Sequence, residues 1–135
     1  MKGNYNDERM MRGADGRYKV GGDTYVKVYQ IDAERAQNDE EYLNRMFSRR
    51  MGWDHAVEKG MEPKDLKDYK LMWEGYLNIH GDAETAFAVL QDYRPIETSR
   101  TMYSLSSGDI IEIDGDLLFV DWFGFKDINC IKEVA

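Results

Sequence analysis

The chain has 135 residues, 42% hydrophobic and 13% aromatic, which suits one folded domain with a single core and excludes a disordered tail. No apolar run approaches the roughly 18 residues that a membrane span needs, and the opening MKGNYNDERMMRGADG lacks the apolar core of a secretory signal, so a cytoplasmic location is expected. The net charge of −8 arises wholly in residues 61–135, where 15 Asp and Glu face 7 Lys and Arg, against 11 of each in residues 1–60; such a half repels a phosphate backbone and argues against direct nucleic-acid binding.

Residues 1–16 mix Gly, Asn, Asp and Arg without periodicity and read as a flexible arm ahead of a single domain over 17–135. Residues 25–31 alternate, with Tyr25, Lys27 and Tyr29 on one face and Val26, Val28 and Gln30 on the other. This strand is a candidate second arm of a hairpin turned at Gly21-Gly22, with Tyr18 and Val20 in the first arm. Asp39 then caps a helix with Glu40 and Glu41 in its first turn and Arg49 and Arg50 in its last, a polarity that complements the helix dipole. Leu43, Met46 and Phe47, spaced i, i+3, i+4, are its expected buried stripe, Met51 follows, and Gly52 is the expected stop. A short helix from Trp53, a turn at Gly60 and a helical turn opened by Pro63 come next.

A second strand is expected over 69–77, with Gly75 as a candidate bulge. Asp82 caps the clearest helix, whose inner face is Ala83, Ala86, Phe87 and Leu90 and which Pro95 ends. Strands over 109–113 and 116–122 flank Asp114-Gly115, a strong hairpin signal. Gly124 interrupts the register, and residues 125–131 are a candidate last strand. The fold class expected is α+β: a small, mostly antiparallel sheet with a C-terminal β-hairpin and two or three helices packed on one face.

The segment 104–128, SLSSGDIIEIDGDLLFVDWFGFKDI, carries six acidic residues: Asp109, Glu112, Asp114, Asp116, Asp121 and Asp127. With Gly115 placed as the glycine of an EF-hand loop, position 1 falls on Ile110, which cannot ligate calcium. Asp109, Glu112, Asp121 and Lys126 match no nuclease spacing. Cys130 with His55 or His80 has no nucleophile signature, and a buried thiol is the expectation. No cofactor and no metal is therefore expected. Asp121 reads as an acceptor of backbone N–H groups at the bend, Gly124 as the source of an unusual φ that aims Phe125 inward, and the Ser104, Ser106 and Ser107 hydroxyls as caps for turn backbone.

SLSSGDIIEI followed by a turn and FVDWFGFKDI resembles the C-terminal signature of YodL-like domains of bacterial mobile elements and phages. VYQI, DYKLMWEGYL and a helix followed by Arg94-Pro95 agree in order, so the resemblance spans roughly residues 25–128 and includes the motif positions Ser104, Ser106, Asp109, Gly115, Asp121, Gly124 and Phe125. The charged AERAQNDEEYLNR departs from the pattern. The resemblance implies a mobile-element context and no particular reaction.

The expected function is a non-enzymatic, acidic protein-binding module, in its concrete form an anti-CRISPR or antirestriction inhibitor of a host or competing nucleic-acid-handling protein such as a Cas effector or restriction enzyme. Asp109, Glu112, Asp114, Asp116, Asp121, Trp122 and Phe123 are the expected contacts, the acids meeting a basic groove and the aromatics anchoring. The alternatives are a small metal-dependent hydrolase or nuclease and a self-assembling accessory domain; monomer and homodimer both remain open.

Overall fold

The computed structural model describes residues 22–92 and 102–133, together with the backbone of two short paired strands, β1 (Met11–Arg12) and β2 (Tyr18–Lys19). Arg94-Pro95 and most of the expected N-terminal arm lie outside the described residues. The main sheet has five antiparallel strands in the order β4-β3-β5-β6-β7: β3 (Thr24–Ile31), β4 (Tyr69–Leu77), β5 (Ile110–Ile113), β6 (Asp116–Val120) and β7 (Phe125–Asp127). With α1 (Ala33–Asn38), α2 (Glu40–Arg50), α3 (Trp53–Glu58), α4 (Ala83–Asp92) and a 3-10 turn over Asn129–Glu133, the class is α+β.

The alternation of β3 decides its two faces. Thr24, Val26, Val28 and Gln30 are buried, whereas Tyr25, Lys27 and Tyr29 are half-exposed. β3 pairs with β4 and β5 rather than with β2, which turns back onto β1, so the hairpin at Gly21-Gly22 does not form. The bulge of β4 is displaced from Gly75: Val28 pairs with Trp73 and Tyr29 with Leu71, leaving Met72 as the extra residue. This lets two consecutive side chains, Met72 and Trp73, both turn inward.

Helices cover both faces of the sheet, not one. On the Val26/Val28 face, Ala86, Val89 and Leu90 of α4 join Ile111, Ile113, Val120, Met102 and Leu105 in the larger core, with Ala83 and Phe87 packed against it. On the opposite face, Ile110, Leu117, Phe119, Ile128 and Ile131 pack with Trp53 of α3 and with Tyr69. The cause is connectivity: α1 to α3 lie between β3 and β4, α4 lies between β4 and β5, and the two connections run on opposite sides. Burial of each large apolar side chain stabilises the fold by about 1.5–3 kcal/mol.

Asp32 and Asp39 cap successive helices, accepting from Arg35 N (3.2 Å) and Tyr42 N (3.0 Å). The α2 stripe that faces inward is Tyr42, Met46 and Arg49 rather than Leu43 and Phe47, which are 44% and 61% exposed. Polar satisfaction explains the rotation. The Tyr42 hydroxyl donates to Asp68 O (2.6 Å) and accepts from Asp32 N (2.9 Å). Asp68 binds Arg45 through two bonds of 3.0 Å and also meets Arg35 at 3.2 Å and Arg49 at 3.1 Å. Arg49 additionally donates to Met61 O at 2.7 Å. Desolvation works to raise the Asp68 pKa, but the three guanidinium groups outweigh it and hold the carboxyl below its usual range.

Residues 61–68 form turns and bends, so the helical turn expected at Pro63 is absent. Asp114 (φ 48°) and Gly115 (φ 93°) make the tight turn expected between β5 and β6. β6 ends at Val120, and the expected last strand stops at Asp127, ahead of the 3-10 turn that begins at Asn129. Cys130 is exposed rather than buried.

Candidate interaction surface

The β6–β7 turn is built by Asp121. Its amide donates to Gly124 O (3.0 Å), and its Oδ1 accepts from Trp122 N (2.9 Å) and from Trp53 N (3.1 Å) at the start of α3. Asp121 therefore does the backbone work expected of it. Gly124, at φ 84°, returns the chain into β7 so that Phe125 packs against the larger core, its ring edge-on to Phe87 at 6.4 Å.

This turn leaves Trp122 62% exposed and Phe123 93% exposed. The Trp122 indole N–H donates to Arg50 O (3.0 Å), which lays the ring against the C-terminal end of α2. Leu43 and Phe47 of that helix and Met51 at its C-cap are also exposed. Leu43, Phe47 and Arg50 share a cleft of about 150 Å³ with Ser107, Gly108 and Asp109. The C-terminal end of α2 and the β6–β7 turn thus meet through Trp122, both carry exposed apolar side chains, and a largely apolar cleft runs between α2 and residues 107–109.

Asp109, on the wall of this cleft, is 8% exposed and so belongs to the interior rather than to a contact edge. Gln30 Nε2 (3.0 Å) and Ser106 N (2.9 Å) both donate to its Oδ2. Gln30 also exchanges bonds with the backbone of Tyr103, at 3.0 Å each way, and so ties residues 103–109 to β3. Burial pushes the Asp109 carboxyl up to about 7, against the opposing pull of these hydrogen bonds and of the Arg50 charge. A wider cleft of about 450 Å³ joins Asp109 to Gln30, Arg50, Gln91, Ser104 and Ser106. Gly108 fits only as glycine: its φ is 93°, and a Cβ would stand 2.9 Å from the Arg50 Cα.

The remaining acids divide. Glu112 pairs in register with Lys27 on the half-exposed face of β3 and β5. Asp114 accepts from Tyr25 N (2.9 Å), and Asp116 is exposed beside the same turn. That turn sits at the far end of the five-residue β6 from Asp121, Trp122 and Phe123, roughly 16 Å away at about 3.3 Å per residue. The structure therefore joins Trp122 to the last carbonyl of α2 and Asp121 to the start of α3, while the α2 residues Leu43 and Phe47 that the sequence pattern assigned to the core are exposed. Ser106 contributes its amide rather than its hydroxyl, Ser104 lines the wider cleft, and the Ser107 hydroxyl donates to Arg50 O (3.0 Å).

His55 bonds to Ser48 (3.1 Å) and His80 to Asp23 (2.5 Å), two separate structural contacts. Among the described residues, no group of three or more His, Cys, Asp or Glu side chains is placed to share a metal ion, and no helix is long and apolar enough to cross a membrane. Comparison with protein-family models, with curated proteins and with solved structures returns no match.

Proposed function

We propose that this protein is a non-enzymatic binding module that docks a protein partner on the surface formed by α2 and the β6–β7 turn. The observation that carries this reading is the exposure of Leu43, Phe47, Met51, Trp122 and Phe123 on two elements that the Trp122–Arg50 bond joins, the turn being held further by the Asp121–Trp53 bond. Exposed aromatics in such a patch are the usual anchors of a protein interface. The net charge of −8 selects a basic partner and speeds its approach, with Asp114 and Asp116 acting at long range. In its most concrete form the partner is a nucleic-acid-handling protein and the module an anti-defence inhibitor of a mobile element, a form supported by the acidic charge and the YodL-like resemblance.

The test is nuclease-treated capture of partners from cells of the source organism, with the wild-type chain beside a Phe47→Ser/Phe123→Ser variant. A protein retained by the wild type and lost from the equally folded variant is the expected result. Equal retention by both, or retention by neither, refutes this docking surface.

A further inference from the structure

Two clefts meet at Asp109: the wider, of about 450 Å³, and the narrower, of about 150 Å³, share Ile31, Arg50 and Asp109. Both hydrogen bonds to the buried Asp109 carboxyl fall on one oxygen, Oδ2, which accepts from Gln30 Nε2 and Ser106 N. Among the described residues, Glu62 Oε1 is the buried side-chain oxygen sealed away without a partner. The unbonded Asp109 Oδ1 is therefore open to solvent, which Asp109 meets in the clefts. The Arg50 charge acts on Asp109, yet no ion pair closes between them, and among the described residues no other carboxylate pairs with the Arg50 guanidinium. No further Lys, Arg, His, Asp or Glu lines either cleft.

We propose that the joined clefts bind a small organic carboxylate with an apolar body, its carboxylate held by the Arg50 guanidinium and by Asp109. This site does not depend on the docking surface. A guanidinium without a partner attracts a carboxylate through its charge and its forked donors. Burial pushes the Asp109 carboxyl up to about 7, so below that pH it offers an O–H donor to the ligand instead of a repelling charge. Above it, Asp109 ionises, neutralises Arg50 and repels the ligand. Tyr69 of β4, whose hydroxyl donates to Gly108 O, is the other ionisable group coupled to Asp109; burial raises it above its usual range, and it stays neutral throughout. Ile31, Leu43, Met46 and Phe47 supply the apolar wall of the narrower cleft, and the wider cleft has the volume of a small-molecule site. Gln30, tied to both Tyr103 and Asp109, fixes the carboxyl in place before any ligand arrives.

The experiment titrates hexanoate into the full-length ¹⁵N-labelled protein at pH 6, with hexanamide as the neutral control. Saturable shifts of the Ser106 and Gly108 amides and the Gln30 side-chain amide are expected with hexanoate, and binding about tenfold weaker with hexanamide. Arg50→Gln, an exposed change that keeps the backbone carbonyl bonded to Trp122 and Ser107, is expected to weaken hexanoate binding by about tenfold. Repeating the titration at pH 8.5 is expected to weaken binding to the wild type by about tenfold or more, whereas Asp109→Asn, uncharged at both values, binds equally at the two. Acetyl-Gly-Gly-Leu with a free C-terminus presents the same chemistry from a peptide. Tighter binding than hexanoate assigns the cleft to a chain end and weaker binding to a free acid, and the carboxylate assignment holds in both cases. Equal affinity for hexanoate and hexanamide, unchanged binding in Arg50→Gln, the same wild-type affinity at both pH values, or no shift at these residues overturns it.

Discussion

Replacement of Asp109 by Asn isolates the energetic role of a buried acid. The native carboxyl titrates near 7 because burial disfavours its charged form, whereas an unfolded chain releases that proton near 3.8. Between these values the folded state holds more protons than the unfolded state, so stability falls as pH rises. The Asp109 contribution is fully present below about pH 4, is lost through pH 7 and levels off above it. A rise from 3.8 to about 7, at about 1.36 kcal/mol per pH unit, makes the change on the order of 4 kcal/mol. An Asn side-chain oxygen can accept the same Gln30 and Ser106 bonds without carrying charge. Urea denaturation at intervals from pH 4.5 to 9 is expected to give the wild type a declining stability and Asp109→Asn a flatter profile. The variant should become the more stable protein at pH 8, by as much as ~4 kcal/mol. Parallel profiles for the two proteins would show that Asp109 is ionised throughout and would refute the account of its burial.

Five further substitutions probe the fold. Asp68→Ala strips the shared partner from Arg35, Arg45 and the 5%-exposed Arg49 side chain, and is expected to cost about 3 kcal/mol or more in denaturant melts. Because the Asp68 carboxyl is held below its usual range, its stabilisation is present above about pH 4 and disappears as pH falls further, a loss that Asp68→Ala should not show. Gly108→Ala forces a positive φ on a residue with a Cβ and drives that Cβ against the Arg50 backbone, so a loss of about 2 kcal/mol is expected in thermal melts. Leu43→Ser and Phe47→Ser should each change stability by no more than about 0.5–1 kcal/mol, while Tyr42→Ala should cost about 3 kcal/mol or more. The reverse order would restore the helix rotation expected from the apolar spacing.

Local chemistry was legible in the sequence wherever it acts over a few residues. Asp39 and Asp82 as caps, the alternating faces of β3, the bounds of β4, the Asp114-Gly115 turn and the Asp121–Gly124 bend all follow from side chains that satisfy or steer nearby backbone. The α+β class follows from the same elements. Long-range partners decided the rest. β3 takes β4 and β5, strands distant in the chain, as neighbours at its two edges, and together they extend the Val26/Val28 face that α4 covers. The spacing of α2 allows two inward stripes, Leu43/Met46/Phe47 and Tyr42/Met46/Arg49. Only the placement of Asp68, 19 residues beyond Arg49, gives the second stripe its hydrogen bonds. That choice turns Phe47 outward on the helix whose C-terminal end Trp122 meets, and so creates the candidate surface. A sequence pattern ranks side chains by hydrophobicity, but the tertiary structure ranks them by whether their polar atoms can be satisfied, and in α2 the second criterion prevails.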